Sequence, residues 1–232
     1  MRKWGIVISV FYAAIVLLLL VPTGMLLAGD KNSLQQIFTT DLLGAYSEWL
    51  MWVPIIAVVA GEAILLFLSV DTTQKRLKPR TNLAISVIVG SMLFALLADG
   101  VFSALGAAIS GDHFVDKFWA TEATILAVWL GLWAAWGIVF YLFFRKSVPA
   151  ATRMVSWLLK GSVLELLIAV PCHVWVRRRD DCSAPIATSF GIVTGIAVML
   201  LSFGPSVLLL YKKRLDEYAR GTVGEQNSQS AS

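Results

Sequence analysis

Residues 123–144 read ATILAVWLGLWAAWGIVFYLFF, 22 positions without a charge, closed off by Glu122 before and Arg145 after. At about 1.5 Å of rise per residue, such a helix is roughly 33 Å long and matches a hydrocarbon core of about 30 Å. Lipid offers no hydrogen-bond partners, so a lone apolar run of this length is read as a transmembrane α-helix. The centre of a large soluble protein could hold the same helix. A chain of 232 residues cannot surround several of them.

The same reading extends in both directions. A first apolar run spans about Trp4 to Ala28. A second runs about Trp49 to Val70, interrupted by Glu62, and a third about Thr81 to Ile109, interrupted by Asp99. Beyond Phe144 come a fifth run, about Met154 to Val176 with Lys160 and Glu165 inside it, and a sixth, Ser183 to Tyr211, charge-free and longer than a span needs. The excess length predicts tilt or partial burial at the interface. Charged residues make up only 15% of the chain, where a soluble domain carries about one quarter. The expected fold is an all-α, polytopic transmembrane helix bundle of about six spans over residues 1–219. Residues 220–232, polar and without an apolar stripe, read as a disordered tail.

Arg2 and Lys3 precede the first run, so a signal peptide must be weighed. The run exceeds the roughly 7–15 residues of a signal core. Leu27-Ala28-Gly29 is followed by Asp30 rather than cysteine, which removes a lipoprotein site. A retained first helix is expected, with cleavage as the alternative.

Lys and Arg at the helix ends set the orientation. Arg2 and Lys3, then Lys75, Arg76, Lys78 and Arg80, then Arg145, Lys146 and Arg153, then Lys212, Lys213 and Arg214 all fall on one side of a six-span chain. The first two loops of the other side hold only Lys31 and Lys117 among Asp30, Asp41, Glu48, Asp112, Asp116 and Glu122. Both termini are therefore expected in the cytoplasm, with the bundle in the plasma membrane, or the inner membrane of a Gram-negative cell. These flanks account for the net charge of +4. No basic stripe interleaved with aromatics exists, which excludes a nucleic-acid partner.

One outer loop breaks the rule with Arg177, Arg178, Arg179, Asp180, Asp181 and Cys182. Either the aspartates and lipid headgroups neutralise the arginines, or the arginines hold an anion, a lipid phosphate or a partner subunit. In the first outer loop Leu34, Ile37, Phe38 and Leu42 share a helical face, predicting a short interfacial helix. A weak repeat also stands out. Pro79 leads into Gly90-Ser91-Met92-Leu93, and Pro149 leads into Gly161-Ser162-Val163-Leu164, which predicts two similarly oriented helical hairpins.

An ionised group at membrane depth costs several kcal/mol unless it is paired, neutralised or facing water. Glu62, Asp99 and Glu165 lie inside spans, Glu62 and Glu165 near mid-depth and Asp99 nearer the outer side. Three such acids point to a proton or cation pathway. The structural alternative is a neutral acid hydrogen-bonded between helices. Lys160, near the cytoplasmic end of its span, is expected to snorkel.

Glu165 and Cys172 share a helical face about 10 Å apart. Pro171 leaves the Leu167 carbonyl without its helical partner, predicting a kinked, polar outer mouth that includes Cys172 and His173. A Cys172–Cys182 disulfide is the first reading of the two cysteines, inert thiols the second, and a metal site with His173 and an aspartate the third. No C-x-x-C occurs. The two histidines, His113 and His173, are poorly placed for haem, and no cofactor is expected. Trp129, Trp133 and Trp136 form a stripe read as packing or an aromatic belt. Gly191 and Gly195 form a close-contact surface, and Gly204-Pro205 a bend.

No hydrolase triad, P-loop or dinucleotide motif is present. The leading expectation is a small carrier or channel-like protein using Glu62, Asp99 and Glu165 and opening near His173 and Arg177 to Arg179. The alternatives are a non-catalytic subunit or assembly factor, with a partner or a second copy on the Trp, Gly and Arg faces, and a redox or metal protein using Cys172, His173 and Cys182. Membrane lipids are a partner in every case.

Overall fold

The computed structural model describes residues 2–29, 42–71, 79–119, 121–145, 150–179, 181–200 and 202. Helix accounts for 94% of the structure and no strand occurs among the described residues, so the all-α class holds. Among the described residues four helices are long and apolar enough to cross a membrane: Ser9–Ala28, Leu83–Ser110, Glu122–Phe144 and Arg153–Arg177. Met51–Leu65 and Ala184–Leu200 are shorter apolar helices, at the second and sixth runs of the sequence. Most of the predicted interfacial helix, the Lys75–Lys78 turn, Lys146, Asp180, Gly204-Pro205 and the polar tail lie outside the described residues.

In chain order the elements are α1 (Arg2–Ile15), a π-helical turn (Val16–Leu20), α2 (Val21–Ala28), α3 (Leu42–Ser47), α4 (Trp49–Asp71) and α5 (Pro79–Ser110). They continue with α6 (Asp112–Phe114), a second π turn (Val115–Trp119), α7 (Glu122–Phe144), α8 (Ala150–Arg177) and α9 (Ala184–Leu200). The first π turn has a cause in the sequence. The Val21 N–H donates to the Val16 carbonyl, one residue further than in an α-helix. The same step for the Leu17 carbonyl would need an N–H at position 22, which is Pro22. The Tyr46 hydroxyl donates to Leu17 O instead and ties α3 to the middle of the first apolar helix.

Contacts fix the helix directions. Gly90 meets Met154, Gly161 meets Leu97 and Gly100 meets Glu165, so α5 and α8 run parallel. Gly195 meets Leu166, Gly191 meets Ala169, and His173 bonds Thr188, so α8 and α9 form an antiparallel pair. The Gly-Ser repeat is this α5–α8 crossing. A Cβ on Gly90 would overlap Met154, and one on Gly161 would lie 2.9 Å from the Phe94 ring. Ser91 and Ser162, both buried, donate back to their own helices at Ile88 O and Leu159 O.

Helix α7 lies against α5 through its aromatic stripe. Trp136 and Phe94 rings are 4.5 Å apart, Trp133 Nε1 donates to Ile88 O at 3.0 Å, and Phe140 is buried. Its opposite face, including Ile138, Leu142 and Phe143, is exposed, the expected state of a lipid-facing surface.

Candidate functional site

Helix α9, and Ser202 two residues past its described end, carry a hydroxyl opposite each of three ionisable side chains. His173 Nδ1 and Thr188 Oγ1 share a hydrogen bond of 2.7 Å. The Thr194 hydroxyl lies 2.9 Å from Glu165 Oε1. The Ser202 hydroxyl donates to Glu62 Oε1 at 3.2 Å. Ser202 is eight residues beyond Thr194, so Glu62 meets a different partner from Glu165, in a separate contact between α4 and Ser202. The Tyr12 hydroxyl of α1 is within electrostatic range of Glu62.

Glu165 is the most enclosed of the acids, with 0% exposure. Glycine makes this possible. A Cβ on Gly100 would overlap Glu165 Oε1, and a Cβ on Gly195 would lie 3.0 Å from Glu165 Oε2. A Cβ on Gly191 would lie 2.7 Å from the Gly100 carbonyl oxygen, so α5 and α9 touch backbone to backbone beside the carboxyl. Asp99, also buried, interacts electrostatically with Glu165. The sequence placed Asp99 nearer the outer side. Packing of its neighbour Gly100 on Glu165 puts the two acids at one level.

The Thr194 hydroxyl donates to Glu165 Oε1 at 2.9 Å and also lies 2.8 Å from Phe190 O and 3.2 Å from Gly191 O, so its proton is shared between the carboxyl and its own helix. Glu165 Oε2 and Glu62 Oε2 are buried and have no hydrogen-bond partner among the described residues. Lys160 is exposed, consistent with snorkelling rather than pairing with Glu165.

The arginines of the 177–179 run act within the chain. Arg177 donates to Leu27 O and Gly29 O, at the end of α2. Arg179 donates to Ala107 O at 2.9 Å, in the last turn of α5, and its Nε lies 3.1 Å from Asp181 Oδ2. That contact is an ion pair without hydrogen-bond alignment. Arg178 is exposed. Helix ends leave carbonyls unpaired and partly negative, which suits cations there.

The principal anchor of this face is Asp112, which the sequence reading counted only as a loop acid. Its carboxylate accepts the backbone N–H groups of Cys182, Ser183 and Ala184 at 2.8–3.0 Å, and the Ser183 hydroxyl at 3.0 Å. The Cys182 N–H above all, with those of Ala184 and Ser183, holds the carboxyl down at about 2. Gly111, at a φ of 61°, makes the turn that presents it. Ser183-Ala184-Pro185 is a legible helix start; a cap arriving from 70 residues away is not.

Cys172 and Cys182 are both free thiols, so the disulfide drawn from their spacing is not formed in this structure. Cys172 packs against the Ala104, Ala169 and Ile192 cluster, while Cys182 is exposed beyond the helix end. No three His, Cys, Asp or Glu side chains gather into a metal-binding group among the described residues. His173 is buried against Thr188 and His113 is exposed. Comparison with protein families, characterised proteins and solved structures finds no match for this chain.

Proposed function

We propose that the chain is a six-span plasma-membrane protein with cytoplasmic termini, a membrane domain over 1–219 and a free tail over 220–232. In this reading it is a small carrier or channel-like transporter whose working step is protonation of the Glu165–Asp99 pair. The parallel course of α5 and α8, with α9 opposed, agrees with spans three, five and six of that topology. The observation that carries the reading is the full enclosure of Glu165 with Asp99 in electrostatic range. A carboxyl enclosed among three helices, with one oxygen lacking a hydrogen-bond partner among the described residues and a second acid alongside, is suited to bind a proton. Losing that proton would place a bare charge between three close-packed helices and drive them apart. Glu62 with Ser202 provides a second protonation point toward the other end of α9.

The subunit reading drew on the Trp stripe, the Gly191/Gly195 surface and the outer arginines as faces for a partner. Trp136, Gly191, Gly195, Arg177 and Arg179 all have contacts within this chain, which favours the carrier. The test is proton flux into liposomes under a potassium-clamped pH gradient, with infrared titration of the same samples. Wild type should exceed empty liposomes and show the carbonyl band of neutral carboxyls; Glu165→Gln should lose the flux and the part of that band that Glu165 contributes. Flux and band unchanged in that variant would remove Glu165 from any transport step.

A further inference from the structure

Packing around Glu165 limits which ion it can hold. On the α5 side a Cβ on Gly100 would overlap Oε1, so the backbone itself lies against that oxygen. On the α9 side a Cβ on Gly195 would lie 3.0 Å from Oε2 and 3.1 Å from the Leu166 side chain. Gly191 completes the contact, since its Cβ would stand 2.7 Å from the Gly100 carbonyl oxygen and 3.3 Å from the Ala169 methyl. One added methyl group would overlap the first carboxyl oxygen and crowd the second. Neither has room there for a metal ion with waters around it.

The oxygen set points the same way. The Thr194 hydroxyl meets Oε1 at 2.9 Å, and it is shared with the Phe190 and Gly191 carbonyls of its own helix at 2.8 and 3.2 Å. Oε2 is buried and has no hydrogen-bond partner among the described residues. Asp99 adds a second acid within electrostatic range. Cations that favour oxygen take about six such ligands, and keep water where the protein supplies fewer. Two carboxyl oxygens and one shared hydroxyl fall well short of that. A proton needs one oxygen and no hydration shell, and it cancels a charge that would otherwise stand bare between helices.

We propose that the Glu165–Asp99 site is selective for the proton and closed to sodium and potassium. The cause is the close approach of α5 and α9 at Gly100, Gly191 and Gly195. This rests on the reading of Glu165 as a proton-binding group and names the one ion that its packing admits.

The test follows the Glu165 carbonyl band, taken as the infrared difference between wild type and Glu165→Gln, each as the full chain in liposomes. Spectra are recorded at constant pH and ionic strength in choline, sodium or potassium. The band should keep its size in all three media, and proton flux should stay within about twofold. Radioactive sodium should enter wild-type liposomes no faster than Glu165→Gln liposomes. Thr194→Val removes the nearest oxygen but keeps the side chain's shape. It should retain the band and move it to higher wavenumber, because the carboxyl loses a hydrogen-bond donor. A band present in choline but erased by sodium or potassium would overturn the selectivity and leave Glu165 a proton binder. Sodium uptake that depends on Glu165 would overturn it equally. Loss of the band in Thr194→Val, with helical content unchanged by circular dichroism, would show that ligand oxygens rather than packing hold the ion, and would overturn the stated cause. A wild type with no Glu165 band in any medium would instead remove the protonated carboxyl, and with it the reading on which the selectivity rests.

Discussion

Helices α5 and α7 have nearly the same mean hydropathy, yet 61% of the apolar window of α5 is buried against other helices and only 6% of that of α7. Hydropathy says that both belong in a membrane. It does not say which one is surrounded by protein. What separates them is size and polarity. Helix α5 carries Gly90, Gly100, Gly106, Ser86, Ser91, Ser103 and Asp99, which let neighbouring backbones approach and need partners. Helix α7 is built from Leu, Phe and Trp around Gly131 and Gly137. Lipid solvates Leu as well as another helix does, so close packing and polar contacts decide who goes inside.

The sharpest way to break this contrast is Gly191→Ala. Its new methyl would sit 2.7 Å from the Gly100 carbonyl, a backbone atom that cannot rotate away. We expect a loss of about 3 kcal/mol, read by reversible unfolding in mixed micelles. A loss near zero would mean that α5 and α9 are not in backbone contact. Phe140→Ala probes the one buried edge of α7, where Phe140 stands edge-on to Phe94 at 5.2 Å. Transfer to lipid is nearly neutral, so the expected loss of about 2 kcal/mol is the packing share of a usual core truncation. Leu142→Ala, on the exposed face, should cost almost nothing. Equal losses at the two positions would show that α7 is enclosed all round.

That contrast also marks how far the sequence could be read. The all-α class and the four helices of membrane-spanning length were legible, because each is a long stretch with few charges. Glu62, Asp99 and Glu165 were legible as costly groups. Their grouping was not. Asp99 meets Glu165 only because Gly100, next in sequence, lets α8 come close, and a glycine in an apolar run gives no hint of which helix it admits. The hydroxyl partners Thr188, Thr194 and Ser202 were missed for a similar reason, since each also reads as an ordinary small residue. The arginines of 177–179 were visible as an exception to the charge rule. Their partners are main-chain carbonyls at the ends of distant helices, which no side-chain pattern encodes.

The ends of the two helices differ as their middles do. Helix α5 leads through Gly111 to Asp112, which caps α9, whereas Thr121 before α7 makes no side-chain cap. Asp112→Ala should cost about 1 kcal/mol, the usual range for a lost helix cap. The effect depends on pH with a definite sign. The folded value, about 2, lies below the ordinary 3.8, so the stabilisation is complete above pH 4 and disappears as pH falls through 2. Wild type should lose more stability than Asp112→Asn between those limits. Parallel curves for the two proteins would detach Asp112 from the stability of the α9 start.

The smallest expected effect is the most direct check of what lies outside α7. A Cβ built on Gly131 meets nothing within 4 Å, and the residue is exposed. Gly131→Ala adds helix propensity and removes freedom from the unfolded chain, worth less than about 0.5 kcal/mol in a helix already formed within lipid. The variant should therefore be as stable as wild type or slightly more so. A clear destabilisation in a native bilayer, absent in detergent micelles, would mean that a second protein surface lies against Gly131. The bare side of α7 would then be an interface, and its low burial a property of the isolated chain rather than of the helix in its membrane.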